Sequence, residues 1–243
     1  MMKFMLGAAA ALAVAAPAHA ATTGYVGAAY GHTTSDPGSD DNAWAIEGSA
    51  TFNNLSGNLG VGVDAAVQDS DHSDTTTAGT VHVFGNTSQY LVGGFAGITH
   101  IASTDVWDAA GEGQLFHDNT PLGLAVTYVN DDDFNTHGWG ANANAKFFVN
   151  DNFALGGNAG WFSLDAGSSN ADAWVAGLAG EYQLSTVPVS FTAGYEHYDS
   201  NDVNLKVDTF TLGVRYNFHG TLKDRNRAGG DLAGLSGVSS LHF

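Results

Sequence analysis

Acidic residues in this chain are concentrated in every second connector between short alternating segments. These connectors carry Asp36, Asp40 and Asp41; Asp69, Asp71 and Asp74; Asp105; Asp131, Asp132 and Asp133; Asp165; and Asp199 and Asp202. The connectors between them carry only Asp118 and Asp151, or no acidic residue. A water-soluble all-β domain gives no reason for such sorting, whereas alternate connectors of a membrane-spanning barrel emerge on opposite sides. The pattern therefore predicts a barrel with two chemically different ends.

Period-two alternation of apolar and polar residues predicts twelve strands, with ten as an alternative count. The predicted strands lie near 23–33, 42–53, 58–69, 77–86, 89–101, 106–117, 121–130, 137–149, 152–165, 171–184, 187–199 and 206–218. The fourth, fifth and sixth alternate poorly. The predicted fold class is all-β, a transmembrane antiparallel up-and-down barrel, because a sheet in hydrocarbon must pair every backbone group by closing on itself.

Strand length and aromatic placement support a membrane-spanning sheet. Strands of this length exceed the ~5–6 residues usual in globular sheets and suit the ~9–11 that cross a bilayer at a tilt. Aromatic residues fall near strand ends, as in interfacial girdles: Tyr25, Tyr30, Trp44, Phe52, Trp107, Phe147, Phe153, Trp161, Trp174, Tyr182, Tyr195, Phe210 and Phe218. The acidic connectors are expected to be the longer ones and to face outward, with short turns at the other end.

Residues 1–20 have the pattern of an export signal, with Lys3 before an apolar run and a small-residue cleavage site at Ala18-His19-Ala20. Removal of this segment leaves six basic and 25 acidic residues, a formal charge of −19. That charge argues against nucleic-acid binding. The absence of cysteine excludes disulfides and thiolate metal sites.

Two segments resemble a known family. Residues 212–218 (LGVRYNF) resemble the closing strand of porin-family outer-membrane β-barrels of Gram-negative bacteria, and residues 148–153 (FVNDNF) are similar to their turns. The resemblance implies a barrel over 21–218, export through the periplasm, and a place in the cell outer membrane in contact with its lipid. In the family the closing strand commonly ends the chain at an aromatic residue that signals barrel assembly. Here residues 219–243 follow, and we favour Phe218 over Phe243 as the signal because 219–241 lacks sustained alternation.

Residues 219–243 are interpreted as a periplasmic tail. They hold Lys223, Arg225 and Arg227, half of the basic residues left after the export signal. A disordered end is one reading. Contact with the anionic cell wall or a periplasmic partner is the other.

Seven charged residues are predicted to face the lumen and line a pore: Glu47, Asp64, Glu112, Lys146, Glu181, Glu196 and Arg215. Lys or Arg at mid-depth on the lipid face would cost ~2–4 kcal/mol, so inward placement is expected on energetic grounds alone. A hydrogen-bonded network that fills the lumen is one interpretation. A cation-preferring constriction is the other, because rings of carboxylates select cations.

These features lead to three functional hypotheses. The first is a small, non-catalytic passive pore with mild cation preference that passes small solutes or cations. The alternative is a closed-lumen structural or adhesive surface barrel, although no connector is long enough to fold inward as a plug. The third is an outer-membrane hydrolase in which His72 acts as a base beside Asp69, Asp71 or Asp74. No catalytic residue, resident metal or cofactor is predicted, and weak divalent-cation binding by the acidic connectors is left open.

Overall fold

The computed structural model of the chain describes residues 21–38, 40–72, 74–131, 135–167 and 169–232. Twelve strands follow one another: β1 Ala21–Asp36, β2 Asp41–Ser56, β3 Leu59–Ser70, β4 Thr76–Asn86, β5 Tyr90–Ile101, β6 Thr104–His117, β7 Thr120–Asp131, β8 Thr136–Asn150, β9 Phe153–Ala166, β10 Ser169–Gln183, β11 Val189–Ser200 and β12 Leu205–Phe218. Each predicted strand corresponds to one of these. The predicted export signal lies outside the described residues.

The strands form one closed antiparallel barrel in which every strand pairs with its neighbours in sequence. β1 and β12 close the sheet along their whole length, from Gly24 beside Phe218 to Asp36 beside Lys206. The predicted fold class and the count of twelve strands are therefore confirmed. Closure leaves no unpaired sheet edge, which is the condition that a hydrocarbon environment imposes on β-structure.

The outward faces carry a continuous apolar belt between two rows of aromatic residues. Exposed aliphatic side chains form the belt, including Val81, Val83, Leu124, Leu178, Leu212 and Val214. One aromatic row contains Tyr30, Trp44, Trp107, Trp139, Trp161, Trp174 and Phe210, and the other contains Tyr90, Phe147, Tyr182, Phe191 and Tyr216. Such a surface suits lipid contact with interfacial girdles. The prediction that Tyr25 belongs to a girdle is wrong. Its side chain faces inward and is buried under the guanidinium of Arg215.

We call the end of the barrel with the acidic connectors the loop end and the opposite end, where β1 begins and β12 ends, the turn end. Several strands run further toward the loop end than predicted, so Asp36, Asp41, Asp105 and Asp131 lie on strands. The connectors there are accordingly short, and β5 and β6 are joined by two residues alone. The connectors at the two ends therefore differ less in length than the sequence predicted. The two ends still differ in charge.

β4 and β5 alternate weakly in sequence because part of their inward face is apolar. Phe84 and Leu91 point into the barrel and are 1% and 0% exposed. Gly229 lies against both side chains, since a Cβ on it would be 2.8 Å from Phe84 Cζ and 3.0 Å from Leu91 Cδ1. The lumen wall is therefore apolar where the chain that follows β12 packs on it.

Residues 219–232 turn back into the barrel and form one short helix, α1 (Leu222–Arg227). Leu222 packs with Phe148 and Ala154 on the inner wall. For residues 219–232 this corrects the expectation of a disordered end, while 233–243 lie outside the described residues. Within the described part of the chain, no helix is both long and apolar enough to cross a membrane.

Candidate functional site

The lumen contains a cavity of about 820 Å³. It extends from Asp131 and Thr136 at the loop end to Asn226, Asp231 and Leu232, which form its floor near the turn end. The floor belongs to the segment after β12, so the chain's own residues divide the lumen. The cavity volume falls in the range of ~300–1,000 Å³ typical of small-molecule sites.

Residues 219–232, which we call the plug segment, close the turn end from inside. α1 begins with a capping box, in which the Thr221 hydroxyl accepts from Asp224 N and the Asp224 carboxylate accepts from Thr221 N. Hydrogen bonds tie the segment to these partners round the barrel: Thr23, Asn53, Asn86, Asp118, Asn119, Asp151 and Gln183. They lie on β1, β2, β4 and β10 and in two turns, so the segment is held on several sides.

Arg225 is the central anchor of the plug segment and is 1% exposed. Its Nη1 and Nη2 donate to the two carboxylate oxygens of Glu181 at 3.0 and 2.6 Å. Nη1 also donates to Asn217 Oδ1 at 2.6 Å, and Nε donates to Asp231 Oδ1 at 3.0 Å. This paired, fork-like geometry is the strong form of an arginine–carboxylate contact.

Ion pairs extend from Arg225 across the lumen. They connect six side chains in the order Glu47, Arg215, Glu181, Arg225, Asp231 and Lys146. Acidic and basic groups alternate, and the six formal charges cancel. Charges removed from water are tolerated when each is paired and hydrogen-bonded, and removal of one partner is costly. We call this series the ion chain.

Within the plug segment, the ion chain reverses what burial alone would do to the pKa values. Burial lowers the pKa of the Arg225 guanidinium, but the charges of Asp231 and Glu181 outweigh it and raise that pKa above its usual value. Burial raises the pKa of the Asp231 carboxyl, but Arg225 and Lys146 hold it well below its usual range. Both groups are therefore charged at neutral pH.

A second buried cluster lies on the opposite wall. His82 on β4 contacts Glu112 through Nδ1 at 2.8 Å and Asp64 through Nε2 at 2.7 Å. The imidazole is almost fully buried beside Phe95, 5.2 Å from it between ring centroids. The second carboxylate oxygen of Glu112 has no protein partner among the described residues. A histidine thus holds two lumen carboxylates at fixed positions.

All seven residues predicted to face the lumen lie on inward positions of their strands. Four belong to the ion chain: Glu47, Lys146, Glu181 and Arg215. Asp64 and Glu112 share His82, and Glu196 accepts a hydrogen bond of 3.4 Å from Asn158. Their role as pore lining stays a prediction.

Sequence reasoning missed His82, Arg225 and Asp231, which complete these clusters. Inward alternation on β4 could have identified His82. No periodicity pointed to Arg225 and Asp231, because they follow the last strand.

The plug segment leaves a narrow gap against the wall formed by β6, β7 and β8. Its volume is about 10 Å³, and Glu112, Gln114, Asn144 and Asp231 border it. A space of ~10–15 Å³ is the smallest that holds a water molecule. At this contact the plug segment therefore leaves room for about one water molecule.

Histidine–aspartate pairs at the loop end do not form a distinguishable catalytic site. His72, whose side chain is 65% exposed, contacts Asp41 at 3.2 Å. Similar exposed pairs join His100 to Asp105, and the half-exposed His197 lies 2.7 Å from Asp208. Catalysis requires a rigidly held pair with supporting contacts, and nothing in its geometry separates the His72 pair from the others. Within the described residues, no group of three or more His, Asp or Glu side chains could hold a metal ion.

Comparison with solved structures shows the same fold in outer-membrane proteins. The chain is similar to the COG4313 outer membrane channel from Pseudomonas putida F1, with 12% identity, 84% of this chain and 97% of that chain covered, and a TM-score of 0.63. It is also similar to the KdgM porin in complex with disordered oligogalacturonate, with 13% identity, 80% and 100% covered, and a TM-score of 0.56. No protein-family model matches the sequence, and no curated protein matches it. The fold is thus that of porin-type outer-membrane β-barrels, as the resemblance in sequence implied.

Proposed function

We propose that this protein is a passive channel of the outer membrane for small polar solutes, with mild cation preference. The observation that carries the proposal is the lumen itself, a cavity of about 820 Å³ inside a closed barrel. The solved structures with this fold that are described as a channel and a porin support the same function. Because the plug segment is hydrogen-bonded to the wall on several sides at the turn end, the proposed passage includes its displacement.

Cation preference is the finer part of the proposal. In the ion chain, Glu47 and Glu181 are balanced by arginine, so they add no net charge. Asp64 and Glu112 share the single imidazole of His82, and the carboxylate of Glu196 accepts from the uncharged amide of Asn158. Three carboxylates against one imidazole leave an excess of negative charge, which favours cations. We therefore assign the preference to three of the five predicted carboxylates.

Planar-bilayer recording under a KCl gradient tests this proposal. We expect stepwise conductance with a reversal potential shifted from zero toward the equilibrium potential of potassium. Glu196→Gln should move that reversal potential back toward zero. Asp118→Asn is the matched control, because it removes the same charge from an exposed residue in a turn. Absence of conductance, or a reversal potential on the chloride side, would contradict the proposal.

The second candidate function is a closed structural or adhesive barrel. The observation that favours it is the plug segment, which lies inside the turn end and is hydrogen-bonded to the wall on several sides. A barrel kept closed by this segment predicts no conductance from the full chain, whereas the proposed channel conducts as the full chain. The two candidates therefore differ in what the full chain does in planar-bilayer recording.

A further inference from the structure

The wall formed by β7 to β10 carries amide side chains that lie over glycines. An ideal Cβ on Gly123 would be 2.6 Å from Asn144 Nδ2, one on Gly160 would be 3.0 Å from Asn142 Nδ2, and one on Gly177 would be 2.5 Å from Asn158 Oδ1. Each glycine sits on a strand next to that of its asparagine. The glycines make room for the amides at the wall, and all three asparagines border the cavity.

An aromatic ring lies on the same wall. Phe162 on β9 is paired with Gly140 on β8, and a Cβ on that glycine would be 2.5 Å from its Cδ1 and 2.8 Å from its Cε1. The ring thus rests on bare backbone and borders the cavity. Phe162 pairs with Gly140, and Asn142 lies two residues after Gly140 on β8, so both side chains are on the inward face. A flat apolar surface and an amide are therefore adjacent.

Two buried acceptors near this wall have no protein partner among the described residues. Asn158 Oδ1 is one, and Gln114 Oε1 is the other. Gln114 is only 6% exposed and borders the cavity. An amide offers two donors and an acceptor, so it can match a hydroxyl group, which also donates and accepts. Buried unpaired acceptors are costly, so each amide gains by turning its acceptor toward a hydroxyl group in the cavity.

The charges round the cavity exclude anionic ligands. Each basic side chain of the described residues already has an acidic or carbonyl partner, and the one that borders the cavity, Lys146, is paired with Asp231 at 2.7 Å. Asp64 and Glu196 also border the cavity. An anion that entered would meet carboxylates without a free cation to bind it.

We propose that Phe162, Asn142, Asn144, Asn158 and Gln114 form a binding site for a neutral sugar. The C–H face of a pyranose ring would stack on Phe162, because the negative ring face attracts the positive C–H groups. The amides would bind its hydroxyl groups. The inference deepens the proposed function by naming the class of solute, and in that sense rests on it. Binding from the loop end does not itself require passage.

Isothermal titration of the full chain in detergent micelles tests this site with two neutral trisaccharides, maltotriose and cellotriose. We expect saturable binding of at least one, and Phe162→Ala should weaken it about tenfold or more, equivalent to ~1.4 kcal/mol. Asn158→Leu should weaken it to a similar extent. Trigalacturonate has the same number of rings but carries carboxylates, and it should bind at least about tenfold more weakly.

Phe210→Ala is the matched control, because Phe210 lies on the lipid-facing side of β12 and its removal should leave the sugar affinity unchanged. Heat-dependent mobility on electrophoresis identifies variants that fail to fold, and Asn142→Leu then serves as a second probe of the site. The inference is overturned if neither neutral sugar saturates, if trigalacturonate binds equally well, or if the folded site variants bind like the unmodified chain. Conductance without sugar binding would overturn this site alone, whereas binding without conductance would overturn only the proposed channel.

Discussion

At the scale of single residues, the guanidinium of Arg225 is the group that holds the plug segment in the lumen. It donates to Glu181, Asn217 and Asp231 and stacks near the ring of Tyr25, 5.1 Å from its centroid. A buried cation with this many acceptors is stable only while all of them stay in place. Arg227, two residues later, has the same charge but has no carboxylate partner among the described residues: it donates to the exposed carbonyl of Asp118 and lies 5.3 Å from the ring centroid of Phe116.

We therefore predict that Arg225→Met releases the plug segment. The change leaves Glu181 and Asp231 with one cation fewer in a buried site, at a cost of about 3–5 kcal/mol. Trypsin cleavage after Lys223 measures the release, since α1 must leave the lumen to be cut. We expect the cleavage rate to rise by about a hundredfold or more, at ~1.4 kcal/mol for each factor of ten.

Arg227→Met is the control for this prediction. It removes an equal charge from the same helix and keeps Lys223 as the cleavage site. Its cleavage rate should stay close to that of the unmodified chain. Equal rates for both variants would show that Arg225 is not the anchor.

The residue scale also separates what could and could not be predicted. Alternation along the strands placed Glu47 and Glu181 inside the barrel, because a strand offers only two faces and the lipid face rejects charge. It could not identify their partners. Arg225 and Asp231 come from a segment without periodicity, so their position depends on where the chain folds after the last strand.

At the scale of elements, each strand has one face for lipid and one for the lumen, and β10 shows the pattern clearly. Its lipid face presents Leu178, 68% exposed, midway between the aromatic residues Trp174 and Tyr182. Its inward face presents Gly177 to Asn158 and Glu181 to the ion chain. The element therefore combines a membrane anchor with a part of the lumen site.

We predict that Leu178→Arg destabilises the barrel by about 2–4 kcal/mol, because arginine would be placed near the middle of the lipid-facing belt. The change should lower the denaturant midpoint of the protein folded in lipid vesicles. Val187→Arg, at an exposed position in the turn before β11, should change the midpoint little. Equal effects at the two positions would contradict the assignment of this face to lipid.

β4 and β5 show why sequence patterns fail for some elements. Phe84 and Leu91 break the polar inward pattern because the plug segment packs on them at Gly229. A strand that contacts lipid outside and protein inside needs apolar residues on both faces. The weak alternation of β4 and β5 is therefore caused by their contact with the plug segment. The sequence alone does not show that contact.

At the scale of the whole molecule, the barrel and the plug segment set two separate properties. Closure between β1 and β12 gives a membrane-compatible wall. The plug segment lies inside that wall and forms the floor of a cavity of about 820 Å³. The wall encloses the lumen, and residues 219–232 occupy it near the turn end.

We predict that a chain ending at Phe218 still assembles and conducts several-fold more than the full chain. Removal of the plug segment opens the turn end, and a barrel of twelve strands is intermediate between filled and open lumens. Planar-bilayer recording measures the conductance. A chain ending at Leu232, which keeps the plug segment, is the matched control and should conduct like the full chain. Failure of both shortened chains to assemble would indicate Phe243, rather than Phe218, as the assembly signal.

A full chain that does not conduct, beside a chain ending at Phe218 that does, would support the closed structural or adhesive barrel instead. The same result would leave the proposed sugar site untouched, because its titration does not depend on passage.

The sequence by itself determined the wall of this protein. The period-two pattern determined the number of strands, the closure of the sheet and the apolar belt, because every residue of a one-layer barrel faces either lipid or lumen. The concentration of acidic residues in alternate connectors determined that the two ends differ. Only the tertiary structure decided what fills the lumen. The contacts of Arg225, Asp231 and Gly229 join residues far apart in sequence, and pairing of charges across a lumen leaves no periodic signal along the chain.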